Sequence, residues 1–189
     1  SMRYLYLSCK QILPILLLPM PYFWYLYNGL VSLNTNIEEA WSQIDVQLKR
    51  RSDLIPNLVE SVKGYAKHEK TVFSDVTKAR SAMMGARSLE SKAAASDMLT
   101  AALGKLIAIA EAYPQLKANE NFVQLQKELS DTEDKVAYSR QYYNNLIRDY
   151  NEKTRTFPNT LFNEPLGFKE KEYFQALEGE RKNVKVNFS

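Results

Sequence analysis

Apolar side chains recur at alternating spacings of four and three residues along much of this 189-residue chain, and this pattern constrains the fold most strongly. Such spacing places side chains on one face of an α-helix. Arg51 interrupts the first series with a charge, and Pro56 predicts a kink near Asp53. The apolar members of that series are Ile37, Trp41, Ile44, Leu48, Ile55, Leu58, Val62 and Tyr65.

The same spacing predicts three more helices, at about 70–87, 91–113 and 119–156. We expect the third to stop before Pro114 and the fourth to be closed by Pro158. Helices with one apolar face bury that face against one another. The chain is therefore predicted to be all-α, with residues 34–189 forming an elongated antiparallel four-helix bundle. The aromatic-rich tail that begins at Phe157 is expected to dock on this bundle.

An uncharged segment precedes the predicted bundle. Between Lys10 and Glu38 there is no charged residue, and 16 of the 22 residues in Ile12–Leu33 are apolar. As a helix this segment is ~33 Å long, which matches the hydrocarbon core of a bilayer. Its prolines and its Trp and Tyr cluster suit a membrane span better than a buried core helix, and no small-residue cleavage site follows it. We predict a leader and one transmembrane helix within residues 1–33, and a single-pass protein of the cell membrane.

The charges that flank this segment predict its orientation. Arg3 and Lys10 lie before it, whereas Glu38, Glu39 and Asp45 follow it before any Lys or Arg. Positive charge is retained on the cytoplasmic side. This rule predicts a cytoplasmic N-terminus and a bundle on the outer side.

Composition excludes several classes of function. With one Cys and one His, disulfide scaffolds and most nucleophile-plus-base enzymes are excluded. The sequence lacks a glycine-rich phosphate loop and the HExxH and GxSxG motifs. No catalytic residue, metal ligand, cofactor or small-molecule substrate is predicted. Residues 34–189 hold 23 Lys and Arg against 22 Asp and Glu, so no nucleic-acid partner is expected.

One basic cluster leaves two interpretations open. Lys49, Arg50 and Arg51 are the only three consecutive basic residues, and Arg51 occupies an otherwise apolar helix face. In the first interpretation, Arg51 either extends its charged end to solvent or pairs with a carboxylate of another helix, such as Glu128 or Asp131. In the second, the three residues form a patch that contacts a partner.

Two stretches resemble the LemA family. The segment 28–69, NGLVSLNTNIEEAWSQIDVQLKRRSDLIPNLVESVKGYAKHE, is similar to the most characteristic part of that family. The tail motifs FPNTLF at 157–162 and GFKEKEYF at 167–174 are similar to its closing part. The resemblance implies one N-terminal membrane helix followed by an elongated helical bundle. It also implies a cytoplasmic bundle, the opposite of the charge rule, and it supplies no catalytic residues.

Three hypotheses of function follow. The first is a non-enzymatic, membrane-anchored interaction or scaffold protein whose bundle contacts protein partners or copies of itself. A carboxylate-only metal-dependent enzyme, or an accessory subunit of one, is the second. The third is binding of an anionic polymer through Lys49, Arg50 and Arg51, which the near-neutral bundle disfavours.

Overall fold

The structure, a computed structural model, describes residues 19–174. Throughout this range the regular secondary structure is helical, without a β-strand, so the prediction of an all-α protein is confirmed. The helices are α1 (Pro19–Lys63), α2 (Lys70–Gly85), α3 (Leu89–Glu111), α4 (Pro114–Lys117), α5 (Glu120–Arg155) and α6 (Thr160–Leu166).

Helix α1 is a continuous helix of 45 residues that contains Pro56. Its described residues include 19–33 of the segment predicted to span a membrane, and the helix runs without a break from there into the residues of the first predicted bundle helix. Residues 12–18 of the predicted span lie outside the described part. The predicted inward face is buried at Ile37, Ile44, Leu48, Ile55, Leu58 and Val62, whereas Tyr65 is exposed.

Helices α2 and α3 pack against each other. Helix α2 buries Phe73, Val76, Ala79 and Met83, as the spacing predicts. Helix α3 starts at a capping box, in which the Ser88 hydroxyl accepts from the Ser91 backbone N–H and the Ser91 hydroxyl accepts from that of Ser88. It ends before Pro114, which occupies the first turn of α4. Proline suits this position because the N–H groups of the first turn have no acceptor within the helix.

Helix α5 ends at Arg155, and its predicted face is buried at Phe122, Leu129, Val136, Tyr143, Leu146 and Tyr150. Two asparagines of α5 each exchange two hydrogen bonds with the backbone of the tail. Asn144 does so with Phe174, and Asn151 with Lys171, at 2.8 to 3.0 Å. These contacts satisfy tail backbone groups that have no helical partner.

The described residues divide into two compact units. Unit 1 comprises residues 19–39 and 145–172, and unit 2 comprises residues 40–144 and 173–174. In unit 1 the ring of Phe162 packs edge-on against Phe23, with 4.1 Å between centroids, and Phe168 packs against Tyr27. In unit 2 Phe174 packs against Trp41. Tail aromatics therefore contact helical residues in both units, whereas the charged segment 178–185 lies outside the described residues.

One helix in the described part is long and apolar enough to cross a bilayer by length and composition. It is α3, and 44% of its apolar window is buried inside the protein. The core helix of a soluble protein passes the same test. The span predicted at residues 12–33 and the antiparallel four-helix arrangement remain predictions.

Candidate interaction surface

Arg51 lies inside unit 2. Its side chain is 2% exposed, with Nη2 2.8 Å from Glu133 Oε1 and Nη1 donating to Thr100 Oγ1 at 3.0 Å. The interpretation that Arg51 pairs with a carboxylate of another helix is confirmed. Its partner is Glu133 rather than Glu128 or Asp131, because Glu133 follows the buried Thr132 at the edge of the inward face of α5.

Burial has an electrostatic cost that Glu133 offsets. Desolvation lowers the pKa of the Arg51 guanidinium, while the charge of Glu133 and its hydrogen bond raise it. An arginine remains protonated even so. The carboxylate of Glu133 is half exposed, so it keeps part of its hydration while it neutralises the buried charge.

Other buried polar groups surround this pair. Ser52, Ser96 and Thr132 are buried, and the Ser52 carbonyl accepts from Arg80 Nε at 3.1 Å. Thr100 in turn donates to the Ser96 carbonyl. The Arg51–Glu133 pair thus lies with other polar side chains in a core that is otherwise apolar.

The other two members of the basic cluster point elsewhere. Arg50 is exposed on α1 and is near enough to Asp131 to contribute to lowering the pKa of that carboxyl, after the larger effect of the Lys135 hydrogen bond. Lys49 is exposed and lines a groove. The structure therefore does not bring Lys49, Arg50 and Arg51 together as one surface patch.

The groove beside Lys49 has a volume of about 510 Å³ and lies within unit 2. We call it the Met groove. Val46 and Met84 are 57% and 65% exposed there, above the buried side chains of Leu48 and Met83. Its full lining is Ser42, Asp45, Val46, Leu48, Lys49, Ser52, Asp53, Met83, Met84, Ala86 and Lys92.

Charges of both signs surround this apolar floor. Lys92 forms an ion pair with Asp45, and its Nζ lies 5.1 Å from the centroid of the Trp41 ring. Lys49 and Asp53 are exposed one helical turn apart on α1. Because the rim balances charge and the floor offers flexible methionine, the groove suits apolar side chains of a protein segment.

Sequence reasoning did not identify this groove. Val46 and Met84 fall between the regularly spaced inward positions, so each reads as a single exposed apolar residue. The available signal was that both positions are apolar although the helical period assigns them to solvent. Their proximity depends on how α1 and α2 pack.

Among residues 19–174 no group of three or more His, Cys, Asp or Glu side chains lies close enough together to hold a metal ion.

Comparison with known proteins defines the class. This is an all-helical protein whose residues 40–188 match the model of the LemA family, and the chain belongs to that family. It is 28% identical over 167 residues to Protein LemA of Metamycoplasma hominis, covering 86% of this chain and 76% of the relative. It is also 26% identical over 174 residues to the magnetosome protein MamQ of Magnetospirillum gryphiswaldense, covering 78% of this chain.

A second magnetosome protein, MamQ 2 of Paramagnetospirillum magneticum, is 25% identical over 175 residues. The chain spans 64% of the length of these MamQ proteins. The resemblance to the LemA family inferred from residues 28–69 and from the tail motifs is thus confirmed.

Proposed function

We propose that this chain is a membrane-anchored interaction protein, rather than an enzyme, whose helical part binds a protein partner through the Met groove. The observation that carries this proposal is the exposure of Val46 and Met84 over an apolar floor with charges of both signs at its rim. Exposed apolar side chains within a charged rim are typical of protein-binding sites.

Two further features support the proposal. The most unusual polar residue of the helices, Arg51, is held inside by Glu133 and Thr100, which is a structural role. Methionine adapts its shape to different apolar partners, so a groove lined by Met83 and Met84 suits a docking helix. The partner is another protein or a second copy of this chain.

Membrane anchoring through Ile12–Leu33 is the other half of the proposal. The apolar length of this segment supports it. Family resemblance favours a cytoplasmic bundle, whereas Arg3 and Lys10 favour a bundle outside. Labelling of single cysteines at Ser189 or Ser8 in intact cells, with Cys9 replaced, distinguishes the two orientations.

Co-purification tests the groove. Full-length chain carrying Val46→Glu or Met84→Glu is isolated from membranes in mild detergent and compared with the wild type by quantitative mass spectrometry. We expect both substitutions to remove the same co-purifying protein, or the same self-association. The matched control is Met98→Glu, because Met98 is 47% exposed on α3 outside the groove. Equal losses with the control variant, or no loss with either groove variant, would contradict the proposal.

A further inference from the structure

The described part of the chain ends at Phe174, beside the Met groove. Asn144 exchanges two hydrogen bonds with the backbone of Phe174, and the Phe174 ring packs against Trp41 with 6.1 Å between centroids. The Nζ atom of Lys92 lies 5.1 Å from the centroid of the same Trp41 ring, and Lys92 lines the groove. Trp41 therefore contacts both Phe174 and the rim of the Met groove, and these residues all belong to unit 2.

The residues that follow Phe174 are numerous enough to reach this groove and to cross it. Residues 175–188 read QALEGERKNVKVNF, and the match to the LemA family model includes them. An extended backbone of this length spans up to about 45 Å, and the three residues from Phe174 to Leu177 span about 10 Å. The shorter distance is enough to bring the side chain of Leu177 past Trp41 to Lys92. Leu177 is therefore the first large apolar side chain of this segment that can enter the groove.

The apolar residues of this segment suit the interior of the Met groove. Val46 and Met84 are exposed there, and methionine adapts its shape to aliphatic partners. Further along the segment, apolar residues alternate with polar ones at Val184, Val186 and Phe188. An extended backbone presents such alternating residues on one face. Docking that face in the groove removes the exposed side chains of Val46 and Met84 from water.

Charges occur in a matching order on the groove and on the segment. Beyond the Lys92–Asp45 ion pair, α1 presents Lys49 and then Asp53 one turn further from Trp41. The segment presents its acidic residues before its basic ones, which are Glu178 and Glu180, then Arg181, Lys182 and Lys185. A segment that enters at Trp41 therefore brings acidic side chains towards Lys49 and basic side chains towards Asp53.

We infer that residues 175–188 occupy the Met groove of their own chain until a protein partner displaces them. This inference rests on the proposed function of the groove and adds its regulation. Because the segment is tethered at Phe174, its effective concentration at the groove is high, and weak contacts are enough to hold it there. A partner binds only the fraction of chains in which the groove is open, so the segment lowers the apparent affinity for that partner.

Photo-cross-linking of the purified full chain in mild detergent identifies the occupant. A photoreactive amino acid at position 84 is activated without any other protein present, in an equal mixture of isotope-labelled and unlabelled chain. We expect cross-links from position 84 to residues 175–188 that join residues of one chain. Position 98, which lies outside the groove, is the matched control and should not cross-link to this segment.

Three results of this experiment would overturn the inference. Cross-links that join labelled to unlabelled chain at position 84 would identify a second copy as the occupant. Equal cross-linking of the segment to positions 84 and 98 would show contact without preference for the groove. Cross-linking at position 84 that never includes residues 175–188 would show that the segment lies elsewhere.

Co-purification from membranes tests the competition with a partner. We expect Leu177→Glu to increase the amount of the co-purifying protein several-fold, because a charge at this position weakens the competing segment. Asn183→Glu introduces the same charge at a polar position of the segment and should leave that amount unchanged.

The outcomes separate this inference from the proposed function. If Val46→Glu removes the co-purifying protein while Leu177→Glu leaves its amount unchanged, the competition is wrong and partner binding by the groove stands. If cross-links within one chain form at position 84 while Val46→Glu and Met84→Glu leave the co-purifying proteins unchanged, the segment occupies the groove and the proposed function is wrong.

Discussion

Arg51 places a positive charge in the core of unit 2, and Glu133 and Thr100 make that charge tolerable. Removing the charge of Glu133 leaves the buried guanidinium of Arg51 without a counter-charge. Replacing Arg51 by an apolar side chain leaves no buried charge that needs one. The two ends of this pair should therefore respond differently to substitution.

We expect Glu133→Gln to lower the free energy of unfolding by about 1–2 kcal/mol, because a charged hydrogen bond to a buried guanidinium is weakened. Arg51→Met is expected to lower it less, since the half-exposed Glu133 is left hydrated. Denaturant unfolding of the detergent-solubilised chain measures both. The exposed Asp134→Asn serves as the control on the same helix, with a change within about 0.5 kcal/mol. A larger loss in Arg51→Met than in Glu133→Gln would contradict this view.

Glu170 is a second charged residue with a defined partner. Arg155 donates from Nε and Nη2 to its two carboxylate oxygens, each at 2.6 Å, and these hydrogen bonds lower the pKa of Glu170. A folded pKa below the unfolded one contributes stability above the unfolded pKa, and this contribution is lost as pH falls through the folded pKa. Any contribution of the Arg155–Glu170 pair to the free energy of unfolding is therefore present at neutral pH and is lost as the pH falls through the pKa of Glu170 in the folded protein.

Titration by NMR checks this pair directly. In the wild type we expect the Glu170 carboxyl to titrate below the ordinary value of 4.5. In Arg155→Gln it should return towards that value, because the charged donor is gone. An unchanged midpoint in the variant would show that Arg155 does not hold this carboxyl in solution.

Most elements of this chain are predictable because they are long. The bounds expected for α2, α3 and α5 agree with the structure to within about two residues, since apolar periodicity fixes the interior and Pro114 and Pro158 fix two ends. Helix α6 was not predicted, because seven residues are too few to show a period and Pro165 lies inside it. It ends at Leu166, and the following Gly167 caps it with a left-handed φ of +77°, which glycine adopts without strain.

The tail depends on side chains that no helical period reveals. Asn144 and Asn151 are seven residues apart on α5, and each holds one residue of tail backbone. Their spacing places them on one face of α5, yet the same amides could equally have faced water. Only the tertiary structure shows their partners.

We expect Asn151→Ala to expose the backbone N–H of Lys171, which donates to Asn151 Oδ1 at 2.9 Å in the wild type. Losing a hydrogen bond of about 1.4 kcal/mol corresponds to roughly tenfold faster amide exchange by local opening. Hydrogen exchange measured by NMR or mass spectrometry on segment 168–174 tests this. Asn145→Ala, at an exposed neighbouring position, should leave the rate unchanged; equal acceleration in both variants would argue against a specific clamp.

For the molecule as a whole, the candidate site was less predictable than the fold. The sequence grouped Lys49, Arg50 and Arg51, but consecutive helical residues point in different directions, and the structure separates them. The Met groove combines residues of α1 and α2 with Lys92 of α3, which are distant in sequence. Family membership agrees with the helical fold and leaves the partner to be found.

Site-specific photo-cross-linking in living cells tests the central claim most directly. A photoreactive amino acid at position 84 is predicted to yield a discrete adduct with one protein or with a second copy of the chain. That adduct should disappear when Val46→Glu is added, because both side chains line the Met groove. The same photoreactive residue at position 98, outside the groove, should not yield it. Identical adducts at 84 and 98, or an adduct at 84 that is insensitive to Val46→Glu, would contradict a role for the Met groove in partner binding.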